Sequence, residues 1–356
     1  MIEQLEQDGY CIAKGLFDPQ SDLQPLETAY LNLLDTMCHA YLKKANRSLP
    51  EAPTHDDFAE KLVLAMGASG GFAFEHLSPT LNIQFDQFRW QSDLPSAQVP
   101  ELFALMRHPR LLNVLERVLG GDIFSMSSYL LNFKLTPGQL QRMHDTAERM
   151  GKDIPMGFRY GLQLTETPWH RDPNLYPRNV LESQVIIVWI PLSQTDEENG
   201  CLKVLPGSHK KDLGSFPFPE HLTRDFVSLP VEVGDVIFMN DKTYHASHSN
   251  CSVDRPRWAL NFRYTPIGQA SYQPYLPGFI ARSHSHPERV LRDPELWRLM
   301  WHHAFAYHQQ KGCPLRADRA KAMSLAEANA FTRFWHDLTP DHESWLALNA
   351  SSPKYL

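Results

Sequence analysis

Cysteine is scarce in this chain and follows no pattern. Five cysteines are scattered over 356 residues, at positions 11, 38, 201, 251 and 313, and none lies in a C-x-x-C pair. Patterned cysteines mark disulfide frameworks and zinc sites, so the sequence indicates neither. Because the number is odd and no signal peptide is recognisable, we expect reduced thiols and a cytoplasmic location.

Long apolar runs and an excess of positive charge are also missing. No run approaches the roughly 18 apolar residues that a membrane-spanning helix needs. Lys and Arg number 34 against 41 Asp and Glu, a formal net charge of -7, which excludes the basic footprint of proteins that bind nucleic acid or anionic membranes. With 42% hydrophobic residues and no internal repeat, the chain is long enough for one large domain.

A possible metal site begins at Thr167-Pro168-Trp169-His170-Arg171-Asp172. In an extended backbone, His170 and Asp172 lie on the same face, because strand side chains alternate with a period of two. An isolated H-x-D is also common as a surface or helix-cap pair. A third ligand is available in His245, which follows the apolar run Val236–Met239. Two histidines and one carboxylate form the facial triad of non-heme Fe(II) oxygenases.

The order of the surrounding motifs distinguishes these two interpretations. After the H-x-D come an apolar segment (185–190), then Asn199-Gly200-Cys201-Leu202 leading to Pro206-Gly207-Ser208-His209, then Gly234-Asp235, His245, and the segment 257–264 ending in Arg-Tyr. This ordered set resembles the phytanoyl-CoA dioxygenase family of Fe(II)/2-oxoglutarate-dependent oxygenases. The resemblance covers roughly residues 5–265 and is densest from 168 to 264.

The resemblance implies a fold that is mainly β with flanking helices, a double-stranded β-helix (jelly roll, cupin-like). We expect one domain over residues 1–356, with a jelly-roll core at about 120–265, an N-terminal region of helices and strand at 1–120 and a C-terminal helical extension at 266–356. Residues 136–156, which are polar and flanked by Pro and Gly, are expected to form a long active-site loop or lid.

The resemblance also assigns roles to residues. His170, Asp172 and His245 would bind Fe(II), with 2-oxoglutarate as cosubstrate and O2 as oxidant. Arg257 would anchor the far carboxylate of 2-oxoglutarate, because a guanidinium binds a carboxylate bidentately, and Arg255 is the alternative anchor. Two further positions match the family. Ser247 is expected to hydrogen-bond to that carboxylate, and Trp189 is expected either to border the 2-oxoglutarate pocket or to be a buried core residue. Arg263 would reach the site or form a structural ion pair.

The same resemblance favours a particular reaction, the hydroxylation of an unactivated C–H bond with release of succinate and CO2. Halogenating relatives replace the carboxylate ligand with a small residue, whereas this chain has Asp172. Two other functions remain open at this point. The chain could be a non-catalytic cupin-like binding protein, or an iron enzyme that does not use 2-oxoglutarate.

A polar face on the segment 125–135 provides candidate substrate contacts. Asn132 and Lys134 fall on one side of this predicted strand, where they either line a pocket or face solvent from an edge strand. Arg159 and Gln163 lie on the strand predicted to precede His170. Together with nearby cationic residues, they suggest an anionic or zwitterionic small-molecule substrate. We expect neither a nucleic acid nor a membrane partner, and a monomer or homodimer.

Overall fold

Two antiparallel β-sheets with flanking helices form the structure, a computed structural model. It describes residues 1–44, 58–69, 99–127, 130–151, 166–172, 184–211, 224–269, 277–298 and 300. The described strands are β1 (Tyr10–Ala13), β2 (Ile123–Ser125), β3 (Leu130–Lys134), β4 (Ile186–Pro191), β5 (Leu202–Val204), β6 (Val227–Leu229), β7 (Val236–Asn240), β8 (His245–Ser247), β9 (Arg257–Pro266) and β10 (Phe279–Arg282). The helices are α1 (Ile2–Asp8), α2 (Gln24–Lys44), α3 (Phe58–Ser69), α4 (Pro100–Met106), α5 (Pro109–Leu119) and α6 (Pro137–Arg149).

The larger sheet has seven strands in the order β1-β7-β4-β9-β2-β10, with β3 also pairing with β9. The smaller sheet has the order β6-β5-β8. The large sheet thus includes β1 and β10, which lie outside the 120–265 range expected for the core. The two sheets share a cluster of buried side chains, including Trp189 and Ile237 from the large sheet and Leu202 and Val204 from the small one. The expected mainly β fold with flanking helices is confirmed.

Strand β9 shows how the sequence separates the two sides of the large sheet. Its even-numbered residues from Trp258 to Tyr264 are apolar and join the cluster that the helices pack against. Its odd-numbered residues from Arg257 to Arg263 are Arg257, Ala259, Asn261 and Arg263, of which Ala259 belongs to the inter-sheet cluster. Because strand side chains alternate, one short segment supplies both a hydrophobic layer and a polar inner face.

The helices cover the outer side of the large sheet. In α5, Leu111, Leu112, Leu115 and Leu119 recur at helical spacing and are all buried, each contributing about 1.5–3 kcal/mol of burial free energy. The helix has Pro109 in its first turn and ends at Gly120, whose φ of 87° is easily adopted by glycine.

The expectation of a loop at 136–156 is wrong for its first part, which is α6. Thr136 and Gln139 form a capping box, each side chain bonding to the other's backbone N–H, so the local sequence starts a helix despite its polarity. Met143 and Ala147 are buried in the core that faces the helices. This segment is therefore a helix that contributes side chains to the core. Residues 152–156 lie outside the described residues.

Two expectations about domain organisation remain predictions. The first is a single domain over residues 1–356. The second is the C-terminal helical extension at 266–356, most of which lies outside the described residues. In the part of the chain that the structure describes, no helix is both long and apolar enough to cross a bilayer.

Candidate active site

The three predicted metal ligands lie together between the sheets. His170 and His245 form an antiparallel bridge in which each backbone N–H donates to the other residue's carbonyl at 2.9 Å. Asp172 is held in the same way, with its N–H donating to the Asp241 carbonyl at 3.2 Å. One nitrogen from each imidazole and one carboxylate oxygen lie within 4.8 Å of one another. The backbone therefore brings together ligands that are 75 residues apart in sequence.

Hydrogen bonds orient both imidazoles with Nε2 facing the carboxylate. The Nδ1–H of His170 donates to the Pro168 carbonyl at 2.8 Å, and the Nδ1–H of His245 donates to the Thr243 carbonyl at 3.0 Å. Because a carbonyl only accepts, each bond fixes the tautomer that leaves the Nε2 lone pair free. Burial, and then the neighbouring His170, lower the pKa of His245 to about 3. That ring is neutral at neutral pH, as a metal ligand must be.

Asp172 divides its two oxygens between different partners. Oδ2 accepts from Arg263 Nε at 2.7 Å and lies 2.6 Å from Arg263 Nη2. Oδ1 faces the imidazoles, 3.7 Å from His170 Nε2 and 3.9 Å from His245 Nε2. Burial alone would raise the pKa of Asp172, but the charge of Arg263 and its hydrogen bond to the carboxylate oppose burial, and this pKa is lowered. The group is an ionised carboxylate with one oxygen available.

These features fit a divalent transition metal. The Oδ1–Nε2 distances are too long for hydrogen bonds and short enough for one ion to lie between the atoms. Two imidazoles, one carboxylate and open positions form the donor set of non-heme iron sites. The bonds from both Nδ1 atoms and from Arg263 supply the outer contacts that orient such ligands. The triad predicted from the sequence is therefore spatially coherent.

Arg257 is a second feature of the same inner face. It is 1% exposed, lies over the Trp189 ring at 5.3 Å, and donates from Nε to the Gly200 carbonyl at 3.1 Å. No acidic side chain is hydrogen-bonded or ion-paired to it among the described residues. Burial lowers the pKa of Arg257 to about 9, which means that the environment does not compensate its charge. A buried cation in this state favours binding of an anion.

The alternative anchor, Arg255, already has anionic partners. It forms ion pairs with Asp196 and Glu198 near the surface, and 39% of its side chain is exposed. Of these two arginines, Arg257 is thus the buried one, and it has no carboxylate partner among the described residues.

The expected neighbours of this arginine are also buried. Trp189 is 1% exposed and its Nε1–H has no hydrogen-bond partner. Asn261, its register partner on β9, has an Oδ1 that is likewise buried without a partner. Ser247 lies on β8 two residues after His245, and its hydroxyl accepts from the Thr167 N–H at 2.9 Å. Unsatisfied buried polar atoms are costly, so a ligand that meets the two unpaired groups is favoured.

The four candidate substrate residues divide into two groups. Lys134 is 1% exposed and is the register partner of Arg257, so its side chain faces the interior. It does so even though β3 is an edge strand that pairs only with β9 among the described strands. Asn132 is half-buried on the same strand, and its carbonyl accepts from Arg257 Nη1 at 3.5 Å. Arg159 and Gln163 lie outside the described residues.

Sequence reasoning left the role of Arg263 open and overlooked Asn261. The structure pairs Arg263 with Asp172, 91 positions away. The missed signal for Asn261 was the alternation itself, because a residue between Arg257 and Arg263 at even spacing must share their face.

Comparison with known proteins adds the family. Residues 5–259 match the profile of Phytanoyl-CoA dioxygenase (PhyH). The peroxisomal phytanoyl-CoA dioxygenase of Bos taurus is 26% identical over 167 residues, 43% of this chain and 42% of that protein. The match spans less than half of that relative's length.

Two solved structures show more remote likenesses. One is a non-heme monooxygenase, ThoJ apo, with 16% identity, a TM-score of 0.49 and coverage of 89% of this chain and 97% of that one. The other is the epimerase SnoN in complex with Fe3+, alpha ketoglutarate and nogalamycin RO, with 19% identity, a TM-score of 0.41 and coverage of 76% and 83%. The match over residues 5–259 decides the family: this chain belongs to the phytanoyl-CoA dioxygenase (PhyH) family, whose cofactors are Fe(II), 2-oxoglutarate and O2.

Proposed function

We propose that this protein is an Fe(II)/2-oxoglutarate-dependent dioxygenase that hydroxylates an unactivated C–H bond of a small-molecule metabolite. In the balanced reaction, the substrate, O2 and 2-oxoglutarate give the hydroxylated product, succinate and CO2. The observation that carries the proposal is the convergence of His170 Nε2, His245 Nε2 and Asp172 Oδ1 on one point, with each group oriented by a further hydrogen bond.

In this proposal His170, Asp172 and His245 are the metal ligands. Bound Fe(II) supplies the redox chemistry that couples decarboxylation of the cosubstrate to oxidation of the substrate. The chain's own contribution is geometric. The carbonyls of Pro168 and Thr243 hold the two imidazoles, and the three ligands leave the remaining coordination positions for the cosubstrate and oxygen.

Arg257 is the proposed anchor of the far carboxylate of 2-oxoglutarate. Its planar guanidinium matches a carboxylate, and no internal carboxylate competes for it in the described part of the chain. Trp189 stacks against this guanidinium and presents an unpartnered N–H, which supports its place beside the cosubstrate. Ser247 is the third proposed cosubstrate residue, because its position on β8 places it on the same face as His245.

Hydroxylation, as opposed to halogenation, is supported by Asp172. A halide needs the coordination position that this carboxylate oxygen faces. Arg263 holds the carboxylate by its other oxygen, so Asp172 is a fixed ligand and does not leave the position vacant.

The substrate is proposed to be small, and anionic or zwitterionic. Asn132, which is half-buried on β3, is a proposed polar contact of that substrate, since its amide can both donate and accept hydrogen bonds. Arg159 and Gln163 remain predicted contacts. The predictions of a cytoplasmic location and of a monomer or homodimer also stand as predictions.

An anaerobic titration tests the proposal. Fe(II) and 2-oxoglutarate would be added to the wild-type protein and the weak visible charge-transfer band followed. We expect a band in the wild type, none with His170→Ala, and a much higher 2-oxoglutarate requirement with Arg257→Ala. Arg255→Ala is the matched control, because it removes an arginine two residues away whose partners are surface carboxylates; it should titrate like the wild type.

The alternatives predict different results. Absence of the band in the wild type would support a non-catalytic binding protein. Turnover of a substrate without added 2-oxoglutarate would support a 2-oxoglutarate-independent iron enzyme. With a substrate in hand, product mass distinguishes hydroxylation, which adds one oxygen, from desaturation or cyclisation, which removes two hydrogens.

A further inference from the structure

The Pro206-Gly207-Ser208-His209 motif, to which the proposed function gives no role, lies against the end of helix α1. The last turn of a helix leaves backbone carbonyls without partners inside the helix. Three of these carbonyls accept hydrogen bonds from this stretch of chain: Asp8 from the Gly207 N–H at 2.8 Å, Gln7 from Lys210 Nζ at 3.1 Å and Glu6 from His209 Nε2 at 3.1 Å. Of the seven residues of α1 only Leu5 is buried. Because so short a helix is not stable alone, these long-range bonds hold it in place.

Gly9, which ends α1, packs against the turn that precedes His245. Its carbonyl accepts from the Asn240 N–H at 2.8 Å and from the Thr243 hydroxyl at 2.9 Å. A Cβ placed on Gly9 would collide with Thr243 Oγ1 and with the ring of His209, and the φ of Gly9 is 82°, which other residues rarely adopt. The close approach of these segments therefore requires glycine.

Thr243 connects the end of α1 to a proposed metal ligand. Its hydroxyl donates to the Gly9 carbonyl, and its own carbonyl accepts from His245 Nδ1 at 3.0 Å. Its N–H donates to the Asn240 carbonyl at 2.9 Å, and its side chain is fully buried. Since the hydroxyl and the carbonyl belong to one residue, a displacement of α1 would move the group that orients the imidazole.

The same motif also holds the residue between Thr243 and His245. The Tyr244 N–H donates to Ser208 Oγ at 2.9 Å, and the Tyr244 carbonyl accepts from the Leu205 N–H at 3.0 Å. Ser208 is 1% exposed. The chain that enters β8 is therefore bonded both to the end of α1 and to the motif that caps it.

We propose that Thr243 is a positioning residue for the metal site. In this proposal helix α1, capped by the motif at 206–209, holds the Thr243 carbonyl where it orients His245 for metal binding. The inference rests on the proposed function, because it takes His245 as a metal ligand. It gives the N-terminal helix and the motif a share in metal affinity, although neither supplies a ligand.

Metal affinity, measured without catalysis, tests the proposal. Co(II) alone would be titrated into the metal-free protein and its visible absorption followed, counting the signal that His170→Ala abolishes. Thr243→Val removes the hydroxyl and keeps the shape of the side chain. We expect roughly tenfold weaker Co(II) binding, the lower end of the loss seen when a group behind a metal ligand is removed. Thr243→Ser keeps the hydroxyl and should bind Co(II) like the wild type.

Thr146→Val is the matched control. Thr146 is also a buried threonine, and its hydroxyl donates to the Arg142 carbonyl at 2.8 Å. It lies on α6, whose buried side chains join the core on the helix-covered side of the large sheet. Loss of a buried hydrogen bond should destabilise both variants, but only Thr243→Val should lose affinity for Co(II).

Gly9→Ala and Gly120→Ala form a second matched pair. Both glycines end helices, with φ of 82° and 87°, so alanine strains the backbone at either position. At Gly120 the added methyl would meet nothing within 4 Å, whereas at Gly9 it would meet Thr243. We expect Gly9→Ala to weaken Co(II) binding at least as much as Thr243→Val, and Gly120→Ala to leave it unchanged. If Gly9→Ala does not fold, the threonine pair decides.

The outcomes separate this inference from the proposed function. No Co(II) binding at His170 in the wild type means that the proposed function fails. Normal binding in the wild type with unchanged affinity in Thr243→Val overturns the inference alone. Equal weakening in Thr146→Val also overturns it, because the loss would then reflect the stability of the whole fold. Weak binding by Thr243→Ser would assign the effect to packing of the methyl group and contradict a role for the hydroxyl.

Hydrogen exchange of the wild type is a second, independent measurement. Coupling between two sites is reciprocal, so bound metal should stabilise the docked helix by the factor by which docking strengthens metal binding. The Gly9 N–H donates to the Leu5 carbonyl and the Gly207 N–H to the Asp8 carbonyl, and both bonds break when α1 opens. We expect Co(II) to slow exchange at these two amides roughly tenfold. Unchanged exchange in protein that has bound Co(II) would contradict the proposal.

Discussion

Arg257 and Arg263 are the same residue type on the same strand and the same inner face, yet they have opposite surroundings. Both are 1% exposed. Arg263 contacts one oxygen of Asp172 with two of its nitrogens. Arg257 has no carboxylate partner among the described residues and rests on backbone carbonyls and the Trp189 ring. One arginine is neutralised by the protein, whereas the other is available to a ligand.

The difference follows from what surrounds each end of the strand. A buried ion pair is stable when its geometry is good and its remaining groups are bonded, and Arg263 meets that condition by fixing a metal ligand. A buried arginine without such a partner is unfavourable in the empty protein. An anionic ligand would supply the missing partner, which is why we propose Arg257 as a ligand-binding residue and Arg263 as a positioning residue.

The largest expected effect is on stability. Arg263→Gln leaves the Asp172 carboxylate buried without its cation, which should lower the free energy of unfolding by about 3–5 kcal/mol. Arg257→Gln removes a charge that has no internal partner, so we expect a loss below about 1 kcal/mol, or a gain. Urea unfolding of the metal-free proteins measures both, because metal binding would otherwise contribute.

A double variant serves as the control for this comparison. Asp172→Asn combined with Arg263→Gln removes both charges and should recover part of the loss seen with Arg263→Gln alone. If Arg263→Gln proves no more destabilising than Arg257→Gln, the two arginines are not different in the way described.

The second largest expected effect is the stabilisation of the folded protein by bound 2-oxoglutarate. For the wild-type protein loaded with metal under anaerobic conditions, 2-oxoglutarate at 100 times its Kd should add about 2.7 kcal/mol of stability. At that same concentration Arg257→Gln should show almost none of this gain, because the ligand no longer saturates it. Thermal unfolding with and without 2-oxoglutarate measures the difference, and a full gain in Arg257→Gln would exclude the arginine as the anchor.

The smallest expected effect concerns Ser247. Its hydroxyl accepts from the Thr167 N–H, so Ser247→Ala should cost about 1 kcal/mol of unfolding free energy and weaken 2-oxoglutarate only severalfold. Ser249→Ala is a suitable comparison, since that hydroxyl bonds to the exposed Glu166. Thermal unfolding measures the loss of stability, and the anaerobic titration measures the change in affinity for 2-oxoglutarate. A loss of affinity as large as that of Arg257→Gln would make Ser247 a principal anchor.

Elements with strong local signals were predictable. The helix at Pro109–Leu119 follows from its leucine spacing and its Pro and Gly boundaries, and β4 and β7 follow from their apolar runs. Residues 137–149 were misjudged because overall polarity was weighed above the capping box of Thr136 and Gln139. Local hydrogen bonds to the first turn decided that segment, and a polar helix can still bury a narrow apolar stripe.

The sequence by itself determined which side chains share a face. Arg257 and Arg263 share a face because side chains in β9 alternate with a period of two. Only the tertiary structure decided the partners. Asp172 reaches Arg263 across 91 positions and His170 pairs with His245 by backbone bonds, because sheet pairing sets which distant segments become neighbours. The contacts that distinguish the two arginines are all of this long-range kind, so no local pattern could specify them.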